Sequence, residues 1–144
     1  MEVIRAGTAG FCMGVSLALQ RLEAALRERT ADTERICTLG PIIHNPQVQE
    51  EYAAKGVARL DDPAQARPGD VVVISAHGVT RQIEERLRAR GARVLDATCP
   101  KVKKAQLAIA RATAHGAVLL LFGEADHPEV RGLVSYAGGP AHVF

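Results

Sequence analysis

Apolar residues along the chain alternate between two spacings, one suited to helices and one to strands. Between 14 and 29, Val15, Ala18, Leu19, Leu22, Ala25 and Leu26 recur at steps of three and four with Arg and Glu opposite, which predicts an amphipathic helix. The same spacing recurs from about Val79 to Arg90, with Val79, Ile83 and Leu87 on one face, a Glu84 to Arg88 support pair and Gly91 as the stop. A third stretch, from about Lys101 to His115, places Val102, Ala105, Ile109 and Ala112 on one face between Pro100 and Gly116. A shorter helix follows Pro46 and ends near Gly56. Between these segments, strands are predicted over Glu2 to Ala6, Arg35 to Leu39, Val57 to Leu60, Val71 to Ser75, Arg93 to Asp96 and Ala117 to Phe122. Val71 to Ile74 and Ala117 to Phe122 are unbroken apolar runs, the pattern of parallel strands covered on both faces.

This alternation predicts an α/β fold in which a largely parallel sheet is sandwiched between helices, an αβα unit. Asp61 to Asp70, with Pro63, Pro68 and Gly69, reads as a surface loop. The chain stops on the apolar step His142-Val143-Phe144, so a strand is expected to be interrupted there and the natural protein to continue.

Composition narrows the functional classes. Hydrophobic residues at 47% and charged residues at 24% are globular values, so a packed core is expected rather than disorder. Aromatics at 3% with no Trp leave no stacking platform for single-stranded nucleic acid, and a formal charge of +2 from 18 basic and 16 acidic side chains is too balanced for a phosphate-backbone binder. No apolar run reaches membrane-spanning length and the N-terminus has no charged segment followed by an apolar signal core, so the chain reads as cytoplasmic, with no membrane partner. Cys12, Cys37 and Cys99 are an odd number at wide spacing without a C-x-x-C pair, which argues against a disulfide framework and for metal or catalytic use.

Five turns hold residues able to do chemistry. They are Gly10-Phe-Cys-Met-Gly with Cys12, Ile43-His-Asn-Pro with His44, Ser75-Ala-His-Gly-Val with His77, Asp96-Ala-Thr-Cys-Pro with Cys99, and Asp126-His-Pro-Glu-Val with His127 and Glu129. Each is expected between a strand and the helix that follows, where open parallel sheets gather ligands and helix N-termini suit a phosphate or diphosphate. His44 and His77 can donate to the same anion. Cys12 and Cys99 lie in turns beside Gly or Pro, where packing does not require a side chain, so each reads as a ligand or nucleophile; Cys37, inside a strand, reads as a small buried hydrophobe. His115 and His142 read as surface residues. The residues themselves lead to a thiolate and imidazole site facing an anion. A mononuclear metal hydrolase built on His44, His77, His127 and Glu129, or a non-catalytic diphosphate-binding module, remains an open alternative.

These five motifs, in this order, resemble those of the 4-hydroxy-3-methylbut-2-enyl diphosphate reductase family, also called the LytB family, and the likeness covers the whole chain. The resemblance implies reductive removal of a hydroxyl from an allylic diphosphate to give isopentenyl and dimethylallyl diphosphate, with a [4Fe–4S] cluster as redox centre and a ferredoxin or flavodoxin type electron donor. It further implies that Cys12 and Cys99 are two of three cluster thiolates, the third being expected beyond Phe144. His44 and His77 would then hold the diphosphate, His127 would orient the substrate and Glu129 would supply the proton that lets the hydroxyl leave as water. The implied architecture is part of a three-unit trefoil: an N-terminal segment, 1–13, bearing the first cluster cysteine, a first αβα domain over 14–98, and an incomplete second αβα domain over 99–144. Family members are longer, so the chain alone is expected to lack full activity.

Overall fold

The computed structural model describes residues 1–4, 6–30 and 35–144. Two parallel sheets account for every strand among them. In the first, β1 (Ile36–Leu39), β2 (Ala58–Leu60), β3 (Val71–Ile74) and β4 (Arg93–Asp96) lie in the order β2-β1-β3-β4. Cys37 pairs with Ala58 on one side and Val72 on the other, and Val73 with Leu95. Parallel neighbours need crossover segments, supplied here by helix α2 (Pro46–Ala54) between β1 and β2 and helix α3 (Arg81–Ala89) between β3 and β4. The second sheet pairs β5 (Leu119–Leu121) with β6 (Ala141–Val143), and helices α4 (Pro100–Thr113) and α5 (Pro128–Val134) accompany it.

The sandwich follows from the alternation of side chains along β3, all four of whose residues are at most 2% exposed. Val71 and Val73 point into a core shared with Ala18 and Leu22 of α1 (Met13–Arg27) and Tyr52 of α2. Val72 points to the opposite face, against Leu87 of α3, Leu60 and Cys37. An unbroken apolar run is thus required at β3, because both faces are covered. Burying each such aliphatic side chain contributes roughly 1.5–3 kcal/mol before chain entropy is counted.

Three expectations are corrected. No strand forms at residues 2–4 or at Ala6, and Arg5 lies outside the described residues; Val3 and Ile4 are exposed and border no described strand. The apolar run around β5 is not covered on both faces: Leu119 and Leu121 are half-buried, whereas Leu120 is 68% and Phe122 93% exposed, because this two-stranded sheet has a layer on one side only among the described residues. In α4 the buried positions are Gln106 and Thr113, while Ala112 is exposed. The expected stripe holds at Val102, Ala105 and Ile109, which are half-buried, and fails at Ala112, because the polar Gln106 and Thr113 take the innermost positions. Thr113 is satisfied there, its hydroxyl donating to the Ile109 carbonyl at 2.7 Å and accepting from the Gly138 amide at 2.8 Å.

Candidate functional site

β1 and β3 are the neighbouring strands at which the strand order reverses, and at such a switch point the outgoing loops part to leave a crevice. His44 follows β1 and His77 follows β3, so topology alone brings them to one edge of the sheet. Their ring centroids are 5.6 Å apart with planes tilted by 32°. His127, which opens α5, meets the other side of His77 with a centroid separation of 5.8 Å and a near edge-on angle of 73°. The loops are anchored from below: Ile42 and Ile43 are core residues, as are Ser75 and Ala76 just before His77. His44 and His127 are exposed and His77 is half-buried, so the rings form an open row at this end of the sheet.

The charge of this row is set by its surroundings. Burial holds the His77 imidazole below the ordinary histidine value, and the neighbouring His44 and His127 press the same way, while Glu129 in the first turn of α5 partly offsets them. The His127 ring caps α5, its Nδ1 accepting the Glu129 backbone N–H at 3.2 Å. That hydrogen bond assigns the proton of the neutral ring to Nε2, which is left as a donor.

The thiols occupy the two helices that lack a side-chain cap. Asn45, Thr80 and His127 cap α2, α3 and α5, accepting from the amides of Val48, Ile83 and Glu129. Cys12 and Cys99 hold the N-cap positions of α1 and α4 without capping hydrogen bonds, so the sulfurs are uncommitted and stand at positive helix ends. Cys99 packs against the first turn of α1. A Cβ built on Gly14 would lie 2.8 Å from Cys99 Sγ and 2.9 Å from its Cβ, a space only glycine leaves open. Cys12 is two residues away from this contact. Unlike the other four turns, the Cys12 turn is preceded by no strand among the described residues. Cys37 is fully buried in β1, where burial raises its thiol above the usual range.

Residues that the sequence patterns left without a role complete the Cys99 turn. Asp96 Oδ1 accepts from the backbone amide and hydroxyl of Thr98, and Oδ2 accepts from Lys103 Nζ at 2.8 Å. Arg21 of α1 donates to the Asp96 carbonyl, also at 2.8 Å. Burial opposes ionisation of Asp96, but Lys103 and Thr98 outweigh it and hold the carboxyl below the usual aspartate value. This carboxylate therefore ties the end of β4, the Cys99 turn and α4 together. Its place inside Asp96-Ala-Thr-Cys-Pro is the only signal that could have flagged it; Arg21 and Lys103 have none. Among the described residues, no group of three or more His, Cys, Asp or Glu side chains is arranged to hold a metal ion, and no helix is long and apolar enough to cross a membrane.

Comparison with known proteins gives a consistent picture. The LytB protein family model matches residues 3–144. The chain is 69% identical over its whole length to a 4-hydroxy-3-methylbut-2-enyl diphosphate reductase of Desulfovibrio desulfuricans, of which it covers 51%, and 62% identical to one of Nitratidesulfovibrio vulgaris, of which it covers 50%. It thus spans about half the length of these curated relatives. Among solved structures it resembles that of (E)-4-hydroxy-3-methyl-but-2-enyl diphosphate reductase, the terminal enzyme of the non-mevalonate pathway, with 40% identity, a TM-score of 0.84 and coverage of 98% of this chain and 50% of that one. The corresponding reductase of Plasmodium falciparum gives 27% identity and a TM-score of 0.82, with 96% of this chain and 42% of that chain covered.

Proposed function

The chain belongs to the LytB protein family, and on that premise we propose that it provides the histidine side of an active site for reductive dehydroxylation of 4-hydroxy-3-methylbut-2-enyl diphosphate. The observation that carries this reading is the convergence of His44, His77 and His127 at the switch point of the sheet, with Glu129 acting on the central ring. Three imidazoles in a row offer donors along a diphosphate. His77, held toward its neutral form by burial and by its neighbours, gains most when an anion arrives, because a bound diphosphate reverses the unfavourable charge balance around it. His44 and His77 hold the diphosphate, and His127 presents Nε2–H to the substrate while its Nδ1 stays engaged with α5.

The reaction exchanges a carbon–oxygen bond for a carbon–hydrogen bond: two electrons and two protons convert the allylic alcohol to an alkene and water. Hydroxide is a poor leaving group, so one proton must reach the departing oxygen, and the role of delivering it falls to Glu129. Cys12 and Cys99 fit part of the ligand set of a [4Fe–4S] cluster, since both sulfurs are free of hydrogen-bond duties and the positive helix ends behind them would offset the negative charge of a thiolate-ligated cluster. When bound, such a cluster supplies the electrons and a Lewis-acidic iron for the hydroxyl. The electron donor is a small carrier protein of the ferredoxin or flavodoxin type. Residues 1–13 serve as the arm that carries Cys12, 14–98 as a first αβα domain and 99–144 as part of a second.

Anaerobic loading with iron and sulfide tests the reading. In a longer protein that contains this chain and the third thiolate, iron with equimolar sulfide should be retained, and Cys12→Ser or Cys99→Ser should abolish the iron–sulfur absorption; normal loading of either variant would overturn the ligand assignment. Binding of zinc alone, lost on replacing His77, would instead favour a hydrolase.

A further inference from the structure

Strands β3 and β4 leave the sheet side by side, with Ile74 opposite Asp96 at the last register position. His77 and Cys99 lie on the segments that continue from these two residues, and the segments stay bonded beyond the sheet. The Cys99 N–H donates to the carbonyl of Ala76, next to His77, at 2.9 Å. On the other side of His77, Gly78 takes a left-handed φ of +75°, and a Cβ built there would stand 3.1 Å from both Oγ1 and Cγ2 of Thr98. The His77 loop is therefore held from both sides by Thr98 and Cys99. Asp96 in turn fixes Thr98, because its Oδ1 accepts the Thr98 backbone N–H at 3.0 Å and the Thr98 hydroxyl as well. Those two bonds set the backbone and the side-chain rotamer of a residue only 9% exposed. An apolar side chain at 96 could make neither bond and would leave the Thr98 amide and hydroxyl without the acceptor that orients them. The other carboxylate oxygen takes Lys103 in an ion pair whose side chains are 27% and 36% exposed, a contact that solvent screening leaves weak.

We propose that Asp96 is a positioning residue: by fixing Thr98 it locks the Cys99 turn against the His77 loop, so that the thiol and the imidazole keep one relative position. The proposal deepens the diphosphate reading and rests on it for the identity of the ligand, though not for the geometry. Without the Asp96 acceptor, Thr98 can turn away from Gly78 and the Cys99 N–H can leave the Ala76 carbonyl. The His77 loop then loses its support on both sides, and misplacement of one donor weakens a multi-point anion contact.

The test uses this chain, isotope-labelled, with inorganic diphosphate as the probe. Asp96→Ala removes the acceptor, whereas Asp96→Asn keeps one oxygen for both Thr98 bonds and gives up only the ion pair. Without ligand, Asp96→Ala should move the Cys99 amide and His77 ring signals together in nuclear magnetic resonance spectra at fixed pH. It should also speed hydrogen exchange of the Cys99 amide about tenfold or more relative to Val72 and Val73 of β3, as local opening does and a uniform loss of stability does not. Diphosphate affinity separates position from charge. Deleting a carboxylate beside an anion site strengthens binding by electrostatics alone, whereas displacing His77 weakens it. Asp96→Ala should therefore raise the diphosphate dissociation constant about fivefold or more. Asp96→Asn deletes the same charge and keeps the geometry, so its dissociation constant should stay level or fall, with exchange and ring signals close to wild type. If Asp96→Ala does not fold, Thr98→Val, which loses the hydroxyl bond alone, should show the same changes and Thr98→Ser should not. Movement of the Cys99 signal without that of His77, or an unchanged Cys99 exchange ratio, would overturn the proposal. So would tighter diphosphate binding by Asp96→Ala, or an Asp96→Asn variant that behaves like Asp96→Ala. If the wild-type chain itself does not bind diphosphate, the reading of the ligand falls, and the ligand-free signals still decide the role of Asp96.

Discussion

Replacing Gly14 by alanine probes the contact that seats Cys99 against the first turn of α1. In an ordinary helix this change is favourable, because glycine is about 1 kcal/mol worse than alanine. Here the new methyl would lie 2.8 Å from Cys99 Sγ and 2.9 Å from Cys99 Cβ, with the Cys99 backbone at 3.7 Å. Carbon contacts are comfortable at about 3.5–4.0 Å, so both atoms are overlapped by more than half an ångström. Rotating the thiol relieves only the first overlap; the second requires α1 or the Cys99 turn to move, and that turn is tied to Asp96, Lys103 and Arg21. Overpacking of this kind costs roughly 1–3 kcal/mol, which offsets the helical gain and leaves a net loss of up to about 2 kcal/mol. At roughly 2.1 cal/mol/K of unfolding entropy per residue, a chain of 144 residues loses about 3 °C of melting temperature per kcal/mol, or up to about 6 °C in all. Differential scanning calorimetry measures this, with Gly7→Ala, where no atom lies within 4 Å of the new methyl, as the neutral control. A rise in melting temperature for Gly14→Ala would show that Cys99 does not rest on the first turn of α1.

Other expectations follow from the same contacts. Cys37→Ser should leave iron loading intact and lower stability by about 1–3 kcal/mol in urea titrations, since a hydroxyl replaces a thiol among Leu60, Val72 and Leu87. In a holoenzyme containing this chain, Glu129→Gln should lower turnover about 10²- to 10⁴-fold with little change in substrate affinity, as measured by steady-state kinetics and calorimetry. Stability should depend on pH through His77: its folded value lies below the ordinary 6.5, so the unfolded chain takes up the proton first. The contribution of His77 is therefore fully present above about 6.5 and lost as pH falls, whereas Asp70 and Asp96, held below the ordinary 3.8, contribute no loss in that window. Urea titrations at pH 7.5 and 5.5 (about one unit either side of that value) should show the fall, and His77→Gln should flatten it.

The fold was legible where one rule decided the outcome. The run Val71 to Ile74 reads as a doubly covered strand because both of its faces meet helices, and the stripe through Ala18 and Leu22 reads as a helix because one face alone is buried. Legibility failed where covering depended on distant parts. An apolar run at β5 carries the same letters as β3, yet nothing among the described residues covers Leu120 and Phe122. At the site, turn position identified His44, His77, His127 and Cys99, since the carboxyl ends of parallel strands are where side chains can converge. The residues that hold Cys99 could not be read: Gly14 looks like any helix-entry glycine and Lys103 like one cation among several. Their roles arise from contacts between elements up to 75 residues apart, such as that from Arg21 to Asp96.

The central claim is that His44, His77 and His127 converge on one anionic ligand. Titrating the isotope-labelled chain with 4-hydroxy-3-methylbut-2-enyl diphosphate while following the imidazole nitrogens tests it most directly. The three ring signals should move together along a single binding curve, with His115 and His142, both exposed and in none of the ring contacts, serving as unmoved controls. Movement of only one of the three rings, or equal movement of the two controls, would contradict the account.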